Sequence, residues 1–234
     1  MRLDKLLSNR GYGSRKEVKE IIKKGHVLVN EERIKDGKTQ IDPIQQIVTV
    51  FGEKVEYKEF IYLMMNKPPG VVSATEDTGD KTVIDLLGKD DQLYNPFPVG
   101  RLDKDTVGLL LLTNNGKLSH QLLSPNKHVT KTYFAKIKGV VTNSDVEAFQ
   151  TGVTLDDGYV TMPATLRILS SGEQSEIELD ITEGKFHQVK RMFEAVDKKV
   201  VYLKRIKMGS LQLDPTLSEG EYRELTKEEL QLLE

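Results

Sequence analysis

Leu3, Leu6 and Leu7 recur at helical spacing and stop at Arg10-Gly11-Tyr12-Gly13, which predicts a short helix ended by a glycine turn. Ser14-Arg15-Lys16-Glu17 has the serine-to-glutamate spacing of a reciprocal capping box. Val18, Ile21 and Ile22 then share one face, and Gly25 supplies the stop. Val27 to Asn30 reads as a strand, Glu31-Glu32 as a turn, and Ile41 and Ile47 to Val50 as further short strands. Residues 51–59 are polar with few apolar positions and read as a linker or an edge. From residue 60 onward strands dominate, over 61–65, 109–113, 132–137, 164–169, 176–181 and 200–203. Ile177, Leu179 and Ile181 alternate onto one face. Leu109 to Leu112 instead form an unbroken run, long enough for a buried strand and too short for a membrane span. Helices are predicted over 82–88, 115–123, 144–151 (with a second capping box, Ser144 to Glu147) and 185–196. Strands and helices do not alternate regularly. The expected fold is therefore α+β: a small N-terminal domain over 1–50, a linker over 51–59, and a larger domain over 60–234 built on a largely antiparallel mixed sheet.

The 234 residues are 38% hydrophobic and 30% charged, as in an ordinary globular protein. There is no cysteine, which excludes disulfides, thiolate metal sites and a cysteine nucleophile and fits a cytoplasmic protein. Residues 1–5 lack the apolar core expected of a signal peptide. The net charge of −2 conceals an uneven distribution. Residues 1–24 hold eight Lys and Arg against three acids, residues 185–207 hold eight against two, and residues 126–138 hold four lysines and no acid. Three basic segments in a slightly acidic chain suggest one basic face that meets a polyanion. On the second predicted helix Arg15, Lys16, Lys19 and Lys23 lie off the apolar face, free to meet phosphates.

The candidate chemistry lies in Gly100-Arg101-Leu102-Asp103-Lys104-Asp105-Thr106-Val107-Gly108, which runs straight into the leucines. An acid at the mouth of a buried strand has rigid support, as a nucleophile or general base requires. Spacing alone leaves Asp103 and Asp105 as rivals, and leaves a merely solvated loop acid open. Gly11-Tyr12-Gly13 lacks the third glycine of a dinucleotide fingerprint, and Gly116-Lys117 lacks the surroundings of a phosphate-binding loop. The four histidines, at 26, 120, 128 and 187, form no i,i+4 pair, and a transition-metal site is not expected.

Three further segments accompany the acid loop in order: Tyr62-Leu63-Met64-Met65-Asn66-Lys67-Pro68-Pro69-Gly70, Ser124-Pro125-Asn126-Lys127-His128-Val129-Thr130-Lys131-Thr132-Tyr133, and Glu183-Gly184-Lys185-Phe186-His187-Gln188-Val189-Lys190-Arg191-Met192-Phe193. Together they closely resemble the RsuA-type pseudouridine synthases over nearly the whole chain. The N-terminal unit resembles the RNA-binding domain shared with ribosomal protein S-four. Residues 1–5, Ser124-Pro125, Lys131 to Tyr133 and 187–193 resemble most the branch that acts on uridine 516 of 16S ribosomal RNA. The rivals are a large-subunit enzyme of the same type, a catalytically silent assembly factor, and a plain ribosome-binding module.

The resemblance implies breaking the uridine N1–C1′ bond, turning the uracil and rejoining it through C5, with no metal or cofactor. It implies Asp103 as the catalytic carboxylate, Tyr133 as the ring holding a flipped base, and Lys190 as the cation paired with the acid. Arg101 would fill the gap left by the departed uridine, Lys67 would support the pocket or the RNA backbone, and Lys131 would add a further RNA contact. Tyr133 as a core residue and Lys190 as a solvated helix lysine remain alternatives. Phe186 and Met192 read as core, and Thr106 and Gly108 as shaping the loop. The expected partner is 16S ribosomal RNA, naked or in an assembling small-subunit particle, bound by a monomer with no membrane contact.

Overall fold

The computed structural model describes residues 1–233 as two compact units, Met1–Ile61 with Leu87–Pro96, and Tyr62–Leu86 with the chain from Phe97 onward. Among the described residues no helix is long and apolar enough to cross a membrane.

The first unit contains α1 (Leu3–Asn9), α2 (Arg15–Lys23), the four-stranded antiparallel sheet β1 (Val27–Val29), β2 (Glu32–Arg33), β3 (Val48–Val50) and β4 (Glu53–Lys54), and the short α3 (Lys89–Gln92). α2 starts where its capping box requires: the Ser14 amide donates to Glu17 Oε2 at 2.7 Å and the Glu17 amide to Ser14 Oγ at 3.4 Å. It ends in a Schellman turn, with Gly25 at φ +78° and the His26 and Gly25 amides donating to Ile21 and Ile22. Val18 and Ile22 face Leu3, Leu6, Leu7, Val27, Val48 and Val50 in one core, each side chain contributing about 1.5–3 kcal/mol by leaving water. The segment expected as a linker belongs partly to this unit. Phe51 and Gly52 both have positive φ and make a tight hairpin turn into β4, and Val55 is buried in the core. Two charged residues gave the edge strand no alternation to recognise.

The second unit is one nine-stranded mixed sheet. Its strands are β5 (Tyr62–Lys67), β6 (Phe97–Pro98), β7 (Val107–Thr113), β8 (Lys131–Lys138), β9 (Thr165–Ser170), β10 (Gln174–Ile181), β11 (Lys199–Met208), β12 (Leu211–Gln212) and β13 (Tyr222–Glu224). The order is β13-β5-β7-β11-β8-β10-β9, with β6 on β7 and β12 on β11, and among the described strands only β7 and β11 pair in parallel. All seven residues of β7 are buried, as its uninterrupted leucines require of a strand covered on both faces. The helices are α4 (Gly116–Leu123), α5 (Asn143–Thr151), α6 (Gln188–Glu194) and α7 (Lys227–Gln231).

Three expectations change. The helix over 82–88 is only a 3-10 turn, Ile84–Leu86. The capping box of α5 lies two residues earlier than read, with the Thr142 amide donating to Asp145 at 2.8 Å. The helix over 185–196 begins at Gln188, because His187 adopts a left-handed backbone at φ +48°. The segment 184–187 is thereby freed to form part of a site.

Candidate active site

The acid loop is held from below by a buried lysine. Lys67, the last residue of β5, is 0% exposed. Its Nζ donates to the carbonyl oxygens of Pro68 (3.0 Å), Asp103 (3.1 Å), Lys104 (3.4 Å) and Thr106 (2.9 Å). Burial pushes its pKa down to about 8, with Asp105 and Asp103 working against the shift. It remains mainly charged at neutral pH. Lys67 was expected among the RNA contacts or as a support of the pocket; it is buried, and backbone carbonyls occupy its ammonium. Ser73 Oγ donates to the Leu102 carbonyl at 2.9 Å and accepts from its amide at 3.1 Å, fixing the residue before the acid. The Thr106 amide closes the turn onto the Asp103 carbonyl at 3.0 Å.

The loop then enters β7 at Gly108, whose φ is +102°. A Cβ there would lie 2.3 Å from the Arg205 carbonyl oxygen of β11, so only glycine permits the single parallel pairing at this point. That pairing places Arg205 beside Gly108, and on its other side β11 places Arg205 opposite Tyr133 of β8. Tyr133 is buried.

Asp103 and Asp105 share one cation. Lys190, on α6, lies 3.1 Å from Asp103 Oδ2 and 2.6 Å from Asp105 Oδ1. Burial opposes the charge on Lys190, but the hydrogen bonds it donates to Asp105 and Asp103 outweigh it and raise its pKa. Burial likewise opposes the charge on Asp105, and Lys190 overrides it, so that carboxyl titrates below its ordinary range. The two acids differ in setting: the Asp103 side chain is 27% exposed and that of Asp105 73%.

Asp103, Thr106, Tyr133, His187, Gln188 and Leu203 help line a cavity of about 70 Å³. It shares Arg101, Tyr133, Gly184 and Lys185 with a neighbouring cleft of about 410 Å³ that also includes Lys131 and Arg205. The cleft has the size of a small-ligand site, about 300–1,000 Å³. Arg101 is exposed, and Lys131 is half-buried with Nζ on the Val129 carbonyl at 3.1 Å. Burial, and secondarily the Arg205 charge, depress the Lys131 pKa.

The structure thus brings together Arg101, Asp103, Lys131, Tyr133 and Lys190. Arg15, Lys16, Lys19 and Lys23 lie exposed on α2 in the first unit. Sequence reasoning counted Arg205 only as one charge of a basic segment. It is 2% exposed, Nε donates to the Leu109 carbonyl at 2.8 Å, and Nη2 is buried without a partner. The available signal was an arginine at an inward position of a strand. Phe186 was read as core and is 69% exposed, because the chain is not yet helical there and the apolar stripe of α6 starts at Val189. Among the described residues no group of three His, Asp or Glu side chains is placed to hold a metal.

Comparison with known proteins agrees with this architecture. Residues 61–195 match the family model described as RNA pseudouridylate synthase, and residues 1–47 match the S4 domain. An uncharacterized RNA pseudouridine synthase of Bacillus subtilis, YtzG, is 57% identical over 234 residues, covering 100% of this chain and 98% of that protein. Ribosomal large subunit pseudouridine synthase B of Bacillus subtilis is 39% identical, covering 99% and 95%. Ribosomal small subunit pseudouridine synthase A of Vibrio vulnificus is 40% identical, covering 98% of each. A crystal structure of a pseudouridylate synthase superposes with a TM-score of 0.70 at 36% identity, covering 100% of this chain and 99% of the other. With an S4 domain ahead of a synthase sheet that carries the acid loop at its centre, the chain belongs to the RsuA-type family of RNA pseudouridine synthases.

Proposed function

We propose that the protein converts one uridine of ribosomal RNA to pseudouridine, that the target is uridine 516 of 16S rRNA, and that Asp103 is the catalytic carboxylate. The observation that carries the assignment of Asp103 is its setting: it borders the cavity with Tyr133, is paired with Lys190, and sits on backbone pinned by Lys67. Asp105 has the same cation but a far more exposed side chain.

The reaction breaks N1–C1′, forms C5–C1′, releases the C5 proton and returns a proton to N1. Its product is an isomer of its substrate, so no co-reactant is consumed. Asp103 supplies negative charge where the glycosidic bond opens, and Lys190, 3.1 Å from its Oδ2, orients that carboxylate. Tyr133 offers a buried ring to the extruded base, and Arg101 stands exposed at the rim to occupy the space the base leaves. Lys131 and the cations of α2 supply phosphate contacts. Cytoplasmic action on a naked or partly assembled small-subunit particle completes the reading.

Relatives named for either ribosomal subunit are similarly close, at 39% and 40% identity. The small-subunit reading rests on residues 1–5, 124–133 and 187–193. Carbodiimide mapping of rRNA from cells with and without the gene tests it. One gene-dependent pseudouridine in 16S rRNA is expected. A dependent site in 23S rRNA instead would overturn the subunit assignment and leave the reaction standing.

A further inference from the structure

The segment between β10 and α6 holds an aromatic ring in solvent on a tightly fastened loop. Buried Gln188 accepts from the Lys185 amide at 2.8 Å and donates to Glu183 at 2.7 Å. Glu183 also accepts from Tyr159 Oη at 2.6 Å and from the Met162 amide at 2.9 Å. Arg191 Nη1 reaches the Phe186 carbonyl at 3.4 Å. The 69% exposure of Phe186 is therefore a fixed position of the loop rather than slack. The phenyl ring lies parallel on the His187 imidazole, with centroids 3.8 Å apart and planes at 18°. His187 is itself held in the left-handed region at φ +48°, a conformation that costs a non-glycine residue energy and persists where the surroundings enforce it. Its Nε2 is 3.7 Å from Asp103 Oδ1.

We propose that Phe186, backed by His187, is a stacking platform for an unpaired nucleobase flanking the uridine that enters the cavity. The inference rests on the reading of the site as an RNA-modifying centre. Extruding one nucleotide removes a stacking partner from its neighbour, and a parallel aromatic pair at the cavity edge replaces that partner. Arg101 and Lys185 on the cavity wall favour a polyanion there over a basic or apolar protein surface. Stacking on a phenyl face tolerates any base, so Phe186 adds affinity and orientation while selectivity comes from other contacts.

Because Phe186 is exposed, Phe186→Leu, Phe186→Ala and Phe186→Trp should all fold. The test measures tritium release from 5-tritiated 16S and 23S rRNA transcripts, and transcript binding across a salt series. Phe186→Leu and Phe186→Ala should each lower kcat/KM and affinity by about tenfold. The slope of log K against log salt should not change, since no phosphate contact is lost. Phe186→Trp should stay within about twofold of wild type, which a merely structural role for the residue would not require. Wild-type-like kinetics and binding for Phe186→Leu would overturn the proposal and point to a protein partner for the ring. A salt slope reduced by about one in Phe186→Leu would also overturn it, marking a displaced cation instead. Wild-type protein inactive on both transcripts, naked and bound by early assembly proteins, would sink the rRNA reading and this inference together. Active wild type with an indifferent leucine variant would sink the inference alone.

Discussion

Two carboxylates two residues apart compete for the Lys190 ammonium, and their surroundings separate them. Asp103→Asn keeps the side-chain shape and is expected to abolish tritium release from 5-tritiated rRNA while leaving the urea unfolding midpoint nearly unchanged. Asp105→Asn should cost less than about tenfold, because an ion pair so open to water contributes only about 0–1 kcal/mol. Activity of Asp103→Asn within about tenfold of wild type would refute the assignment, since loss of a nucleophile costs far more. The motif made this acid legible in the sequence, whereas the partnering of Lys67 was not: nothing local says that four loop carbonyls converge on one amine. Its pKa near 8 has a readable consequence. Between pH 8 and the ordinary lysine range, the unfolded chain keeps the proton that the folded chain has lost. The Lys67 contribution to stability therefore rises with pH across that window. The neutral amine has fewer N–H donors for the loop carbonyls, so activity should fall above pH 8 without loss of the fold. A 13Cε resonance of Lys67 titrating near pH 8 would check it, and one titrating at about 10.4, the unperturbed value, would count against it.

Elements with a strong local signature were readable, and those stabilised only by neighbours were not. The alternation of β10 and the capping box of α2 both announce themselves within a few residues. Tyr222–Glu224 does not: β13 exists because β5 offers an unpaired edge, on which Tyr222, Arg223 and Glu224 pair with Met65, Met64 and Leu63. α7 did carry a local signature, the capping box of Thr226 with Glu229, and is further fastened by Arg223, which binds Glu229 through two bonds of 2.7 Å and Asp214 through another of 2.7 Å. The central pairing is the most exacting element. Gly108→Ala places a Cβ against the Arg205 backbone at a φ that alanine resists. It should destabilise the synthase unit by about 2–4 kcal/mol, combining overpacking with backbone strain. A urea midpoint lowered at constant m would show it, and an unshifted midpoint would mean that β7 and β11 can part without cost.

The two units have boundaries that a linear reading drew differently, because Val55 and Leu87–Pro96 join the N-terminal unit through packing. Arg10 lies 4.2 Å over the Tyr94 ring, a contact across more than eighty residues. A truncation meant to remove the RNA-binding unit should therefore cut after Ile61 rather than at residue 50. The remaining chain should retain a cooperative urea transition. It should lose up to about four units of salt slope in rRNA binding if Arg15, Lys16, Lys19 and Lys23 each meet a phosphate. An unchanged slope would show that α2 does not touch RNA. The parallel pairing of β7 with β11 has a consequence in time as well as in space. Arg205 reaches back to Leu109 across 96 residues, and such non-local closure is slow to form. At about 5–20 residues per second of synthesis, β7 waits several seconds for its partner to emerge. A half-made chain can display the cations of α2 before the acid loop has Lys190 and Arg205 beside it. A nascent chain that has emerged only as far as β7 is therefore expected to bind rRNA without modifying it.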